Sequence, residues 1–292
     1  MRRGTTVGEA TPAGTTKRQL AELMVGSELP SPQTEESTVT EDVQLEVKDL
    51  TLKDVRGRAL LEAIDLVIHR GEIVGIAGVE GNGQAELVET IMGMRKTTSG
   101  SVWLAGEDIA SWDTRERREA GIGYIPEDRH RHGLLLDSPL WENRILGHQS
   151  RPPSVRGGLI DRRAARGDTE RIIEQYDVRT PGPDTLARAL SGGNQQKLIV
   201  GREMSGDPIL LIAAHPTRGV DVGAQAAIWT HIKNARREGL AVLLISADLD
   251  ELIGLSDRIE VILRGRFVGS FDPGDVTPER LGSAMTGAGE SA

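Results

Sequence analysis

The sequence has no cysteine and no long apolar run. Without thiols, the 292 residues form neither disulfides nor thiolate metal sites, which agrees with a reducing compartment. No apolar stretch of the sequence approaches the ~20 residues that a membrane-spanning helix needs. We therefore expect any role at a membrane to come through a partner protein.

An excess of positive charge is also missing. The chain carries 44 Asp+Glu against 35 Lys+Arg, a formal net charge of −9 at pH 7. This is the wrong sign for a protein that binds the phosphate backbone of nucleic acids, so nucleic acid is not an expected partner. With 38% hydrophobic residues, the chain has enough apolar material for one large domain plus attachments.

The two ends of the chain resemble each other. Residues 3–26 align without a gap on residues 264–287 and are identical at nine positions, which predicts an internal repeat; a chance similarity of two Arg-Gly turns is the alternative. In both copies a Val-Gly pair precedes a turn with proline, and a threonine, Thr16 or Thr277, opens a predicted helix. Because the second copy ends a domain, we expect residues 1–26 to be the tail of an absent preceding domain. Residues 27–42 are acidic with two prolines and are expected to form a linker.

The body of the chain begins with two predicted strands and a strand–loop–helix unit. Residues 43–48 and 60–68 have the apolar pattern of a half-buried antiparallel layer. Residues 73–77 are apolar and lead into a glycine-rich loop and then a segment with helical periodicity. This order is typical of a loop that binds phosphate through backbone N–H groups, although a plain strand–turn–helix has the same pattern. Two further apolar segments, residues 209–214 and 241–246, predict two more strands.

The phosphate loop, residues 78–85, keeps its glycines but lacks two side chains that nucleotide binding uses. The residues expected to face a phosphate are Gly78, Gly81, Asn82, Gly83, Gln84 and Ala85. Gln84 occupies the position of the usual lysine, and Ala85 that of the hydroxyl that binds Mg²⁺. A charge-assisted hydrogen bond contributes about 1.5–3 kcal/mol, so we expect nucleotide binding to be weaker by several orders of magnitude.

Side chains for phosphoryl transfer are also missing at the ends of the two later strands. Ala214 stands where a carboxylate would hold Mg²⁺, and a methyl group cannot bind a hard cation. His215 follows, and it is either a base or a structural hydrogen-bonding group. Ala247 stands where related ATPases have a histidine. We therefore predict no intact catalytic residue and no metal site.

Residues 190–197, the signature segment, read Leu-Ser-Gly-Gly-Asn-Gln-Gln-Lys. Ser191 is predicted to cap a helix that Gly192 and Gly193 open. The helix is expected to be amphipathic, with an apolar face that contains Leu198, Ile199 and Met204. Such a helix start offers a hydroxyl, N–H groups and a positive dipole end, which suit a terminal phosphate; an ordinary capped helix is the alternative.

Together, four segments resemble the ATP-binding-cassette family. They are residues 78–85, 124–129, 190–197 and 216–221. More narrowly, the chain resembles the C-terminal (second) cassette of the double-cassette ATP-binding subunits of sugar and nucleoside importers, and residues 78–84 favour the nucleoside branch. The resemblance covers the chain from Val43 on, and residues 1–26 resemble the end of a first cassette.

The resemblance implies an α/β fold, with a phosphate-loop (P-loop) NTPase core, an antiparallel β subdomain and an inserted helical subdomain. We expect the cassette at residues 43–290 and the helical subdomain roughly at residues 137–207. Within it, residues 151–158 are expected to form a surface loop, and residues 162–176 a helix. No aromatic residue that could stack on adenine occurs at residues 53–58, where the family would place one.

The resemblance also implies that ATP lies between two cassettes that pair head to tail. The residues expected to face ATP held by the partner cassette are Ser191, Gly192, Gly193, Asn194 and Gln195. Asp221 is expected at the cassette interface, and Mg²⁺ is expected only through the partner cassette. Glu127 replaces the family's loop glutamine, and residues 127–143 are expected to contact a membrane permease.

The implied function is that of a regulatory half of an importer ATPase, with negligible ATP hydrolysis by this cassette alone. Its partners would be a first cassette, permease subunits and, indirectly, a solute-binding protein. The implied location is cytoplasmic, peripheral on the inner face of the plasma membrane. Two alternatives stay open: a stand-alone homodimeric module that binds ATP with weak or no hydrolysis, and a non-transport cassette protein.

Overall fold

A computed structural model describes Thr15, residues 37–150 and residues 152–288. Apart from Thr15, the predicted tail of a preceding domain lies outside the described residues, and so does most of the predicted linker. Within the described ranges, no helix has both the length and the apolar character needed to cross a membrane.

The first layer of the fold is an antiparallel sheet. Its strands are β1 (Val43–Lys53), β2 (Ala59–His69), β4 (Ser99–Leu104) and β5 (Glu107–Asp108). They lie in the order β2–β1–β4–β5. Residues such as Leu45 and Val47 on β1 and Ile68 on β2 are buried, and the residues between them are more exposed. The alternation in the sequence correctly predicted this half-buried layer.

The second layer is a six-stranded, mostly parallel sheet. Its strands are β3 (Ile73–Ala77), β6 (Ile122–Ile125), β9 (Leu210–Ala214), β10 (Ala241–Ile245), β11 (Arg258–Leu263) and β12 (Arg266–Phe271). Their order is β12–β11–β3–β10–β9–β6, and only the β11–β12 pair is antiparallel. Every residue of β3, β9 and β10 is buried, because other elements cover both faces of the sheet. The segments that follow the parallel strands therefore meet at one edge.

Helices cover both faces of this sheet. They are α1 (Gln84–Ile91), α2 (Thr114–Glu119), α3 (Leu140–Ile145), α4 (Arg162–Gln175), α5 (Gly192–Met204), α6 (Val222–Arg237), α7 (Leu249–Leu255) and α8 (Pro278–Thr286). Leu87 and Ile91 of α1 share an apolar cluster with Val74 and with the antiparallel layer. On the other face, residues such as Ile73 and Val242 pack with apolar side chains of α4 to α8.

The predicted helical subdomain contains α3, α4 and α5. The predicted helix at residues 162–176 is present as α4, which ends at Gln175. The predicted surface loop at residues 151–158 is partly wrong, because β7 (Val155–Arg156) and β8 (Leu159–Ile160) form a small hairpin. Its turn is made by Gly157 and Gly158, which both have positive φ, 58° and 80°. Helix α5 packs on α4 but also on β6 and α6, so it belongs equally to the core.

Helix α5 is not amphipathic, contrary to the prediction. Residues 195–203 are all buried, because α5 lies between the helical subdomain and the sheet. Its charged members are satisfied by ion pairs: Glu203 Oε2 lies 2.8 Å from Arg118 Nη2, and Glu203 Oε1 lies 2.7 Å from Arg202 Nε. Burial alone would raise the pKa of Glu203, but Arg202 and Arg118 lower this pKa to about 2.

The predicted linker is shorter than expected at its C-terminal end. The N–H of Thr40 donates to the Arg70 carbonyl at 3.0 Å, and the N–H of Arg70 donates to the Asp42 carbonyl at 2.8 Å. Thr38 Oγ1 donates to the Gly71 carbonyl at 2.9 Å. Composition predicted only that these polar residues bury little surface, whereas backbone hydrogen bonds hold residues 38–42 on the cassette.

The C-terminal copy of the predicted repeat has the expected form. It consists of β12, a turn and α8. Thr277 is the N-cap of α8, and its side chain accepts a hydrogen bond from the N–H of Arg280 at 3.3 Å. The N-terminal copy, residues 3–26, lies outside the described residues except for Thr15.

Candidate functional site

The candidate site lies at the edge where β3, β6, β9 and β10 end. The segments that follow these strands surround a cavity of about 470 Å³. The predicted residues that line it are Gly78, Gly81, Gln84, Ala85, Glu127, His215 and Ala247. Ala214 lines an adjoining cavity of about 660 Å³. Residues 191–195, all of them described, line neither cavity, so the structure separates the phosphate loop from the signature segment.

The phosphate loop has a shape that its glycines allow. Gly81 (φ 88°) and Gly83 (φ 117°) have left-handed conformations that other residues avoid. A Cβ atom on Gly78 would lie 2.9 Å from the Ile262 carbonyl oxygen, so this position also favours glycine. Gly83 is the N-cap of α1 and provides no side-chain cap, which leaves the first N–H groups of the helix available to an anion.

Asn82 braces the loop instead of facing the cavity. Its Oδ1 accepts a hydrogen bond from the N–H of Arg264 at 3.0 Å, and its carbonyl accepts one from the N–H of Gly265 at 2.8 Å. Neither Asn82 nor Gly83 is among the residues that line the two described cavities. Asn82, which the sequence predicted to face a phosphate, therefore uses its side-chain oxygen to join the loop to the β11–β12 turn.

Gln84 and Ala85 bring neither an ammonium group nor a hydroxyl to the cavity. Gln84 Nε2 donates to the Val79 carbonyl at 3.2 Å, so this neutral side chain turns back onto its own loop. Ala85 is exposed at the start of α1 and presents a methyl group. Backbone N–H groups remain as the groups that could attract a phosphate.

The cavity carries more negative than positive side chains. The charged residues among its described lining are Glu80, Glu127, Asp248, Glu251 and Arg218. Arg218 Nη1 pairs with Glu127, so its charge is already compensated. A triphosphate with Mg²⁺ is itself negative, and it would meet these carboxylates without a lysine or a metal-binding hydroxyl. Within the described residues, no three His, Asp or Glu side chains are grouped as metal ligands. The described lining thus offers an anionic nucleotide mainly backbone N–H groups.

His215 joins the ends of two strands. It has a positive φ of 50°, its N–H donates to the Ile245 carbonyl at 2.7 Å, and its Nδ1 accepts from the N–H of Ala247 at 3.3 Å. Burial is the main cause that lowers the pKa of His215. These contacts favour the structural alternative for His215. At Ala247 the contact is made by the backbone N–H, because the methyl side chain has no polar group.

Glu251 is a buried residue of the site that the sequence motifs did not reveal. It is 1% exposed, and its Oε1 accepts hydrogen bonds from Thr217 Oγ1 at 2.7 Å and Trp229 Nε1 at 2.9 Å. Burial raises the pKa of Glu251, and these donors partly oppose that rise. Glu251 thus ties residues 216–221 to α6 and α7. The sequence signal that could have revealed Glu251 is a glutamate among leucines in the segment that forms α7.

The signature segment begins at the surface, but its serine does not cap the helix. Ser191 is exposed and has N-cap geometry, yet its side chain makes no cap hydrogen bond. Instead, Ser191 Oγ accepts from Asn194 Nδ2 at 2.9 Å, and Asn194 Oδ1 accepts from the N–H of Arg179 at 2.9 Å. The predicted serine cap is therefore wrong, because Asn194 takes the hydroxyl. The first N–H groups of α5 remain uncapped.

Gln195 does not reach the exposed start of α5. It is 5% exposed, its Nε2 donates to the Ala187 carbonyl at 3.1 Å, and its Oε1 accepts from Arg129 Nε at 3.3 Å. Tertiary contacts thus use both ends of the Gln195 amide, and its predicted contact with ATP stays a prediction.

Asp221 caps α6 beside the signature segment. Its Oδ1 accepts from the N–H of Ala224 at 3.0 Å. A Cβ atom on the buried Gly193 would lie 3.2 Å from Asp221 Oδ2 and 3.0 Å from Ala224 Cβ, so glycine permits this close approach. The predicted interface residue is exposed and lies next to the start of α5. The guanidinium of Arg129, to which the motifs assigned no role, also lies beside this start, near Gly192.

Comparisons with known proteins agree on the family. The family model described as ABC transporter matches residues 61–218. The chain is 46% identical over 275 residues to the guanosine import ATP-binding protein NupO of Bacillus subtilis, covering 94% of this chain and 54% of that protein. It is 42% identical over 287 residues to the nucleoside import ATP-binding protein NupA of Lactococcus lactis, covering 98% and 57%. The ribose import ATP-binding protein RbsA of Yersinia pestis is 36% identical over 290 residues, covering 99% and 56%. The chain thus spans about half the length of these relatives.

Solved structures share the fold. A nucleotide-free ATP-binding cassette from an ABC transporter has a TM-score of 0.67 at 20% identity, covering 84% of this chain and 95% of that one. The dimeric post-hydrolysis state of the cassette MJ0796 bound to ADP and Pi has a TM-score of 0.68 at 20% identity, covering 78% and 98%. This likeness confirms the predicted fold class, an α/β P-loop NTPase core of cassette type. The family model, which matches more than half of the chain, shows that the chain belongs to the ABC transporter family.

Proposed function

We propose that this chain is the second cassette of an ATP-binding subunit of a nucleoside or simple-sugar importer. Its own phosphate loop is degenerate, and its signature segment completes an ATP site whose phosphate loop belongs to a first cassette. The observation that carries this proposal is the contrast between two surfaces: a cavity with no lysine among its described lining, and a complete signature that starts at the exposed Ser191. Relatives named for guanosine and nucleoside import favour a nucleoside.

ATP is, in this proposal, shared between the two cassettes. Ser191, Gly192 and Gly193 face its phosphates, and Mg²⁺ is held only by the partner cassette. The uncapped N–H groups at the start of α5 suit a terminal phosphate. Asp221 supports the same assignment, because it is exposed and adjacent to Gly193. Residues 1–26 would be the tail of the first cassette, and the linker would end before Thr38.

Residues 127–143 are the proposed contact with the permease subunits. Leu135 is 47% exposed in this segment. Asn143 holds it in place, because its Oδ1 accepts from the N–H of Leu135 at 2.7 Å and its Nδ2 donates to the Leu135 carbonyl at 3.0 Å. A fixed, exposed apolar side chain suits a docking surface. The chain would then work at the cytoplasmic face of the plasma membrane, with a solute-binding protein as an indirect partner through the permease.

Phosphate release from ATP tests the proposal. We expect negligible turnover by the chain alone, and a marked increase when it is joined to a first cassette with an intact Gly-Lys-Ser/Thr loop. In the joined protein, Ser191→Glu should lower kcat about 100-fold, the usual effect of losing a group that contacts developing charge, because a carboxylate repels the phosphates. Ser99→Glu, a matched change at an exposed serine of β4, should have no effect.

Two results would contradict this proposal. One is turnover of about one per second by the isolated chain, an ordinary enzyme rate. The other is equal activity of the Ser191→Glu and Ser99→Glu proteins. Tight, Mg²⁺-dependent binding of a fluorescent ATP analogue to the isolated chain would instead favour a stand-alone ATP-binding module.

A further inference from the structure

The side chain of Arg129 lies between the signature segment and residues 216–221. Arg129 follows β6, on a different part of the chain from either neighbour. Its Nη1 donates to the Arg218 carbonyl at 2.9 Å, and its Nε donates to Gln195 Oε1 at 3.3 Å. One half-buried guanidinium thus bridges two segments that are separated in sequence.

Two glycines lie beside this guanidinium, and Gly192 leaves the space that it occupies. A Cβ atom on Gly192 would lie 2.8 Å from Arg129 Nη2, and a Cβ atom on Gly219 would lie 3.4 Å from Nη1. Gly219 also has a positive φ of 69°, which glycine adopts at low cost. The position of Arg129 therefore depends on the missing side chain of Gly192, and Gly219 provides the backbone turn beside which the guanidinium lies.

The acceptors of the bridge are themselves fixed. Gln195 is anchored because its Nε2 donates to the Ala187 carbonyl at 3.1 Å and His130 Nε2 lies 3.0 Å from its Oε1. Arg218 is anchored by the pairing of its side chain with Glu127, two residues before Arg129. The contacts form a chain that runs from Glu127 through Arg218 and Arg129 to Gln195.

We infer that Arg129 is a positioning residue that holds the start of α5 and residues 216–221 as one rigid surface. Arg129 thereby sets the geometry in which the signature meets the ATP of the partner cassette, a role that rests on the proposed function. The planar guanidinium reaches two acceptors at once, whereas a lysine provides a single point of charge on a flexible stem. Arginine at this position is therefore required for its shape as well as its charge.

Hydrogen exchange of the isolated chain tests the bridge without any partner. The amides of Gln195, which donates to the Ser191 carbonyl at 2.9 Å, and Arg218, which donates to the His215 carbonyl at 3.0 Å, report on the two segments. In Arg129→Ala and in Arg129→Lys, exchange at residues 190–195 and 216–221 should rise together, about tenfold, as expected for local opening. Arg131→Ala, at an exposed arginine two residues away, is the matched control. A change confined to one segment, or absent from both, overturns the inference.

ATP hydrolysis by the chain joined to its first cassette tests the positioning role. Arg129→Ala should lower kcat between about 10-fold and 100-fold, since misplacement of a group by about 1 Å has effects of this size. KM for ATP should change less than about threefold, because the first cassette still binds ATP through its own phosphate loop. Arg129→Lys should not restore kcat; if it does, charge alone suffices and the inference fails. Should the unchanged protein show no turnover, the proposed function fails, and the exchange experiment still decides on the bridge.

A double-mutant cycle removes the remaining ambiguity about folding. Gly192→Ala displaces the guanidinium of Arg129 without removing it. The effect of Gly192→Ala on exchange at residues 216–221 should therefore vanish in a protein that already carries Arg129→Ala. Additive effects of the two substitutions at residues 216–221 would show that Gly192 and Arg129 act independently, which contradicts the inference.

Discussion

Replacing Glu203 with glutamine should weaken the core of this cassette strongly at neutral pH. Glu203 is 1% exposed and lies between the guanidinium groups of Arg118 and Arg202, with N–O distances of 2.8 and 2.7 Å. Its Oε2 also accepts the N–H of Tyr124 at 3.0 Å. Glutamine keeps the size of the side chain but leaves two buried cations without their carboxylate.

The size of the effect follows from the pKa of Glu203. Its pKa falls from 4.5 to about 2, because Arg202 and Arg118 outweigh the opposing effect of burial. At about 1.4 kcal/mol per pKa unit, this shift stabilises the folded state by about 3 kcal/mol at pH 7. Because the pKa is lower in the folded state, the stabilisation is complete above the unfolded pKa and is lost as the pH falls through the folded pKa. At pH 3 it should be less than about half of its value at pH 7.

Thermal unfolding followed by circular dichroism measures this effect. At pH 7, Glu203→Gln should lower Tm by about 6–12 °C, given about 2–4 °C per kcal/mol for a protein of this size. The difference from the unchanged protein should shrink towards pH 3. Glu62→Gln is the control, because Glu62 pairs with Arg266 at the surface, and such pairs contribute about 0–1 kcal/mol. A Tm loss equal to that of Glu62→Gln, or one that is constant from pH 7 to pH 3, would refute the reasoning.

Three further predictions concern the phosphate loop and the C-terminal helix. Asn82→Ala should lower the free energy of unfolding in urea by about 1 kcal/mol, since the N–H of Arg264 loses its acceptor; Asn82→Asp keeps an acceptor, and an equal loss in both variants would contradict the assigned contact. The double substitution Gln84→Lys and Ala85→Ser should leave ATP hydrolysis by the isolated chain negligible, because the carboxylates of the cavity remain; turnover of about one per second would show that these two positions alone limit the site. Thr277→Ala should cost about 1 kcal/mol in urea unfolding through loss of the α8 cap, whereas Thr277→Ser should cost less, and equal losses would rule out the cap.

Elements with one dominant physical cause could be predicted from the sequence. Strands β3, β9 and β10 were predicted because burial on both faces gives continuous apolar segments. Helix α4 was predicted nearly to its last residue, since its periodicity is local. Helix α5 was predicted as amphipathic and is buried on nearly all sides. Its Arg202 and Glu203 are polar in the sequence, and only their ion pairing in the fold makes burial possible.

The positions of the site residues along the chain could be predicted, but the directions in which their side chains point could not. The spacing of the phosphate loop predicted Gln84 and Ala85 as its last two residues, and both line the cavity. It could not show that Asn82 bonds to Arg264, 182 residues further along the chain. In the same way, the signature motif could not show that the Gln195 side chain turns inward to Ala187. The role inferred for Arg129 depends on space left by Gly192 and on acceptors in two other segments, which no single motif contains.

The attachment of residues 38–42 also has a mechanical consequence. Arg70 exchanges backbone hydrogen bonds with Thr40 and Asp42, and the Thr38 carbonyl approaches so closely that a Cβ atom on Gly71 would lie 2.4 Å from it. Strand β3 starts only two residues after this glycine and ends at the phosphate loop. Tension on the chain ahead of Ser37 therefore loads the amino end of the central strand in shear. Strand β3 connects this point directly to the phosphate loop at the opposite edge of the sheet, so the load reaches the candidate site along one strand.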